Sequence, residues 1–184
     1  IITPYIKGVL SMFSLAGSIS FIAYFLLFIG KWREALHHYE IKIYICIILV
    51  STCIVSISLF YGGLYDSLLS SIGNGFVQIV SFASTSGFII ADIGSWPTTC
   101  KVVLICVVLI GGCSFSTSGS LKVIRAAVGF KLIMRGIYKR IHPQSVKPIM
   151  IQGKPVSAAN ASSITVFLLL YFAIFVISMV MMSL

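Results

Sequence analysis

Two short strings in this 184-residue chain combine residue types that can handle a cation inside a membrane. The first is Ser84-Thr85-Ser86-Gly87-Phe88, which follows a stretch, 68–83, suited to a short helix. A helix ending there aims the negative end of its dipole at the string, and an extended backbone of small hydroxyl residues can turn carbonyl oxygens inward to replace water around an ion. Gly87 permits backbone angles that other residues avoid. Taken alone, the string is equally compatible with a Ser-rich loop outside the membrane. The second string is Gly111-Gly112-Cys113-Ser114-Phe115-Ser116-Thr117-Ser118-Gly119-Ser120, which interrupts an apolar run and is followed by Lys122. The break lies about 16 Å into that run at ~1.5 Å per helical residue, near the middle of a bilayer. Irregular backbone survives at that depth only against protein or a water-filled cavity, and broken helices at the midplane are a transport device. The competing possibility is a continuous span whose serines bond to their own helix.

Strings of Gly and Ser also suit an intramembrane serine hydrolase, which needs a general base within reach of the nucleophile. The histidines are His37, His38 and His142, all in polar connectors, and no acid lies within an apolar run. His37, His38 and Glu40 together could be imagined around a metal, but on a polar loop they read as a solvated interface. Cys46, Cys53, Cys100, Cys106 and Cys113 lie in or beside apolar runs and are expected to be small buried packing residues.

The elements that must position these strings follow from composition. The chain is 59% hydrophobic and 9% charged, with a mean hydropathy of +1.10, against about 25% charged residues in soluble domains. Charge-free runs cover 8–30, 43–65, 67–91, 102–121 and 155–184. Each reaches the ~20 helical residues that a bilayer core requires. The net charge of +9 would suggest nucleic acid in a soluble protein, whereas here it reads as membrane topology. Lys31, Arg33 and Lys42 occupy one connector, and Lys122, Arg125, Lys131, Arg135, Lys139, Arg140, Lys147 and Lys154 another, leaving Lys7 and Lys101 elsewhere. The positive-inside rule makes both basic connectors cytoplasmic.

With that orientation the first span, about 9–30, runs inward and the second, about 43–61, outward. The segment 62–97 must then start and end outside, so it is expected to be re-entrant. Trp96-Pro97 is expected to mark a headgroup interface and a helix start. The next span is the broken one, after which 121–141 reads as an amphipathic basic helix facing lipid headgroups or a partner. His142-Pro143 and Gly153-Lys154-Pro155 are turn signals. A last span covers about 164–182. The expectation is an all-α polytopic membrane protein with four spans and a re-entrant pore helix, one span being broken. Without an initiator Met or a signal peptide, and with a last run that stops uncharged, both ends look cut from a longer polypeptide.

This order of features resembles the Trk/Ktr potassium transporter family, in particular its TrkH membrane subunits. The residues that carry the likeness are the pore helix into 84–88, Asp92, Trp96-Pro97, the run from Gly111 through Leu121-Lys122-Val123-Ile124-Arg125, and His142-Pro143. The resemblance implies four span–pore–span units of the K+-channel-like type around one pore. This chain would hold the end of the second unit (1–30, with Met12, Phe13, Gly17 and Phe21 on its closing helix) and a cytoplasmic loop (31–42). The third unit would comprise 43–62, 63–96 and the broken helix 97–141. A cytoplasmic connector (142–163) and the first helix of the fourth unit (164–184) would follow. It implies K+ as the transported ion, bound at Thr85 and Ser86 within a filter of 84–88, and a gating loop of 111–120 with Lys122. It also implies a bacterial inner-membrane homodimer and a cytoplasmic TrkA-type ring through which alone nucleotide would act. Phe115 and Ser120 stand where the family usually has Gly.

Overall fold

The computed structural model describes residues 3–36, 38–65, 67–142, 150–151 and 154–183. His37, Asp66, Pro143, Lys147 and Gly153, which figure in the sequence expectations, lie outside them. The chain divides into two compact units, Ile1–Val123 and Ile124–Leu184.

In the first unit, α1 (Pro4–Ser18) and α2 (Phe21–Phe28) are followed by the short α3 (Trp32–Leu36), the long α4 (Tyr39–Tyr61), α5 (Leu68–Ala83), one 3-10 turn (Ile93–Ser95) and α6 (Thr98–Ile110). The helix α5 is central and packs on α1, α4 and α6. In a bilayer little drives helices together except packing and hydrogen bonding, so interfaces favour small residues. The buried face of α4 follows this rule: Ile41, Tyr44, Ile48, Val55 and Leu59 alternate with the buried Ser51, Thr52 and Ser56. A Cβ on Gly75 of α5 would stand 3.1 Å from the Ser56 hydroxyl, so this glycine sets how closely the two helices approach. Ile79, Val80 and Ala83 of α5 and Cys100, Leu104 and Val107 of α6 complete the core.

The second unit contains α7 from Ile124 onward (Val123–Ile141 in full), a small antiparallel pair of β1 (Met150–Ile151) with β2 (Lys154–Pro155), and α8 (Ala158–Ser183). The Arg125 guanidinium lies 4.3 Å over the Phe167 ring, and Lys131 Nζ donates to the Met150 carbonyl at 2.8 Å, so two of the basic connector's cations hold this unit together.

Several expectations are corrected. Among the described residues, α4 and 159–183 of α8 are long and apolar enough to cross a bilayer. The expected first span is instead α1 and α2, bent by 90° at Ile19 and Ser20. Two expected spans are therefore broken, not one. The helix α4 starts at Tyr39 and takes in Lys42, and α8 starts at Ala158, so both reach into segments expected to be connectors. Trp96 packs into the helical core at 4% exposure, and Pro97 caps the N-terminus of α6, where the helix start is expected. Of the cysteines only Cys100 and Cys113 are buried, while Cys46, Cys53 and Cys106 face outward.

Candidate cation filter and intramembrane loop

At the C-terminus of α5 the chain does not simply become extended. Ser84 is still right-handed (φ −78°, ψ −7°), Thr85 is left-handed (φ 57°) and Gly87 is left-handed (φ 72°). An extended strand sends successive carbonyls to opposite sides, and left-handed residues break that alternation. The expected uniformly extended filter is corrected on this point.

Four consecutive amides turn back onto the last turn of α5. Ser84 N donates to Val80 O at 2.9 Å and Thr85 N to Phe82 O at 3.1 Å, while Ser86 N and Gly87 N donate to Ser81 O at 3.1 and 3.4 Å. Among the described residues the carbonyl oxygens of Ser84, Thr85, Ser86 and Gly87 accept no hydrogen bond. Amides satisfied by the helix leave these carbonyls available to face an ion, which is the arrangement a backbone filter uses. The hydroxyls are occupied by protein: Ser84 Oγ bonds Ser86 Oγ at 2.7 Å, and Ser86 Oγ donates to Ser14 Oγ of α1 at 3.2 Å. Ser86 and Gly87 are exposed on this chain and Thr85 is half-buried.

Phe88 stands apart from the other four. Its carbonyl accepts from Ser81 Oγ at 2.6 Å and from Gln78 Nε2 at 3.3 Å, so both of its lone pairs are used by α5 and it anchors the string. Gln78, fully buried, also accepts from Ile90 N at 3.3 Å through Oε1. Sequence reasoning did not single out Gln78 or Ser81. The signal was an amide side chain, Gln78, set among the apolar residues of 76–80. Asp92 does not reach the string and accepts from Gly94 N at 2.9 Å, shaping the 3-10 turn.

The second string leaves α6 at Gly111 (φ 70°) and crosses to the α1–α2 break. Cys113 N donates to Ser18 O at 3.0 Å, Thr117 N to Gly17 O at 3.1 Å, and Phe21 N to Phe115 O at 3.0 Å. The bend at 19–20 and the loop thus supply each other's missing backbone partners, which is why both breaks exist. Gly112 permits this contact, for a Cβ there would lie 2.8 Å from Ser18 O and collide with the Ser118 hydroxyl. Within the loop, Ser116 Oγ bonds Ser118 Oγ at 2.8 Å and Cys113 O at 2.5 Å, Gly112 N donates to Ser118 Oγ at 3.1 Å, and Ser120 Oγ donates to Val108 O. Phe115 and Ser120, where the family resemblance leads one to expect glycine, are both left-handed (φ 55° and 73°), which supplies the physical reason for glycine there.

Three further contacts tie the loop to its surroundings. Glu40, at 3% exposure in the first turn of α4, accepts from Ser114 N through Oε1 at 2.5 Å. One turn along α4, Tyr44 OH donates to Ser18 Oγ at 2.6 Å, on the residue whose carbonyl holds Cys113. Glu40 is therefore a buried acceptor for the loop, correcting its reading as part of a solvated surface. Among the described residues no cluster of ligating side chains could hold a metal. Lys122 Nζ donates to Ser116 O at 3.3 Å and to Ser118 O. Gly119 N donates to Thr85 Oγ1 at 2.8 Å, bringing the two strings into direct contact.

The chain has known relatives in sequence and in fold. Over 182 residues the chain is 31% identical to the Trk system potassium uptake protein TrkH of Salmonella typhimurium, covering 96% of this chain and 37% of that protein. It is 31% identical to the protein of the same name from Halomonas elongata over 95% of this chain and 36% of that protein, and 28% identical to TrkG of Escherichia coli over 90% and 34%. The chain thus spans little more than a third of the length of these curated relatives. Its fold superimposes on the crystal structure of the potassium transporter TrkH from Vibrio parahaemolyticus with a TM-score of 0.91, at 24% identity, over 98% of this chain and 39% of that one. That likeness establishes an all-α, multi-pass membrane fold with pore-loop repeats. The TrkH family, described as cation transport protein, matches residues 2–184, and the chain belongs to it.

Proposed function

We propose that this chain forms the third quarter of the ion pathway in a subunit that takes K+ up across the bacterial inner membrane. The observation that carries this reading is the set of four carbonyls at 84–87, which among the described residues accept no hydrogen bond while their amides are held by α5. Oxygens so arranged replace the hydration shell of a monovalent cation, and the names of the relatives point to potassium. In this reading Ser84, Thr85, Ser86 and Gly87 contribute carbonyls, with K+ bound at Thr85 and Ser86, and Phe88 anchors the string. Residues 111–120 with Lys122 form a loop across the pathway whose displacement admits flow.

The segments take the following roles. Residues 1–30 close the second unit, 43–62, 63–96 and 97–141 make the third, and 164–184 open the fourth, with 31–42 and 142–163 as cytoplasmic connectors. Both basic segments face the cytoplasm, where the charges of α7 meet anionic lipid or a nucleotide-binding regulatory subunit of the TrkA type. The complete protein works as a homodimer, and a serine hydrolase is disfavoured because the relatives named above are potassium uptake proteins. Rescue of a K+-uptake-deficient strain by the intact gene tests the reading. Growth at low K+ that depends on Gly87 supports it, and failure to grow despite normal membrane abundance refutes it.

A further inference from the structure

The contact between the strings runs through a single peptide group. Ser118 C=O and Gly119 N–H belong to the same planar trans unit, whose oxygen and hydrogen point in opposite directions. The oxygen accepts from the Lys122 ammonium, and the hydrogen is given to Thr85 Oγ1 at 2.8 Å. A cation on the carbonyl polarises the amide and strengthens its N–H as a donor, so the two bonds reinforce each other.

Both ends of this chain of bonds are conformationally unusual. Thr85 is a β-branched residue at φ 57°, a region such residues avoid, and it persists only where its surroundings over-determine it. Its amide bond to Phe82 O comes from α5, but its side-chain restraint comes from the loop. At the other end Ser120 and Lys122 are left-handed as well (φ 73° and 71°), which folds the lysine back onto the carbonyls of 116 and 118.

Resting on the function proposed above, we infer that Lys122, the Ser118–Gly119 peptide and the Thr85 hydroxyl form a positioning relay. It holds the left-handed filter residue in place while the loop lies across the pathway. Moving the loop withdraws the amide from Thr85, so ion discrimination changes with loop position and the loop does more than open or close a route. Thr85 and Lys122 are positioning residues here; the carbonyls bind the ion.

The test uses the complete transporter in proteoliposomes, with K+ and Na+ uptake measured for wild type, Thr85→Val, Thr85→Ser, Lys122→Met and the Thr85→Val/Lys122→Met pair. Amide hydrogen exchange across 111–122 is followed in the same preparations. Thr85→Val is expected to lower the K+/Na+ ratio about 5-fold, the loss of one hydrogen bond. Thr85→Ser keeps the ratio within about 2-fold, because the hydroxyl remains. Lys122→Met also lowers the ratio, and the pair is no worse than Thr85→Val alone, because both substitutions break one relay. Gly119 exchanges faster in Thr85→Val and in Lys122→Met. Effects of Thr85→Val and Lys122→Met that multiply independently would overturn the relay, as would Gly119 exchange unchanged from wild type. Should Thr85→Val not fold, Lys122→Met decides through Gly119 exchange. A wild-type protein that folds, shows the protected Gly119 amide and moves no K+ would refute the transport reading while leaving the contact itself standing.

Discussion

Replacing Glu40 by Ala isolates one of the bonds that hold the loop. The carboxylate is buried at 3% exposure, and its Oε1 lies 2.5 Å from Ser114 N. Removing it leaves the half-buried Ser114 amide without its protein acceptor, and hydrogen bonds to charged groups contribute about 1.5–3 kcal/mol. The bonds of Cys113 to Ser18, Thr117 to Gly17, Phe21 to Phe115 and Val123 to Gly112 remain, so the loop is loosened and not lost. At tenfold per 1.4 kcal/mol, the displaced population rises by about 12- to 150-fold. Glu40→Gln keeps a side-chain oxygen that can accept from the same amide, and its effect stays below about 10-fold. The native reporter is Cys113, fully buried beside Ser114, whose alkylation by a small thiol reagent requires displacement of the loop. Labelling of Cys113, quantified by peptide mass spectrometry in the complete protein, should accelerate in the order wild type, Gln, Ala, with resting K+ flux rising in parallel. Equal labelling rates and equal flux in wild type and Glu40→Ala, at matched abundance, would refute the claim that this carboxylate restrains the loop.

Gly112→Ala should push the loop off the α1–α2 break, because its Cβ would stand 2.8 Å from Ser18 O; a destabilisation of about 1–3 kcal/mol is expected and is read from the melting temperature in detergent. Gly87→Ser meets no steric neighbour within 4 Å, so its effect isolates the left-handed backbone (φ 72°), at about 1–2 kcal/mol; the K+/Na+ uptake ratio should fall, and an unchanged ratio would sink the filter assignment. Phe115→Gly removes an exposed side chain from a left-handed position and should stabilise the loop by about 1 kcal/mol, slowing Cys113 labelling. For orientation, a single cysteine at position 92 should react with an impermeant reagent added outside and one at 139 should not; the opposite pattern would invert the proposed topology.

Much of the architecture was legible along the chain because helices in lipid satisfy their own backbone and need only a long enough apolar run. The runs that became α4 and α8, the short pore helix α5, the amphipathic α7 and the interruption at Gly111 all follow from local composition. The special backbone at Gly87 and the family resemblance followed from residue type and order. Less visible was the second break. Gly17-Ser18-Ile19-Ser20 is a weak helix former within an apolar run, yet nothing local distinguishes a bend there from a continuous span.

What sequence alone determined, then, is where backbone groups would be left without helical partners: after Ala83, where α5 ends, and after Ile110, where glycines and hydroxyl residues replace the apolar pattern. Which groups would answer them was decided by tertiary structure alone. The amides of the loop are met by carbonyls at Gly17 and Ser18 about a hundred residues earlier, and by the Glu40 carboxylate 74 residues away. Thr85 holds its left-handed conformation against an amide 34 residues further on. Hydrogen bonds and close packing act over a few ångströms whatever the separation along the chain. Composition can therefore announce an unmet backbone group, but only the folded arrangement of α1, α4, α5 and α6 decides what meets it.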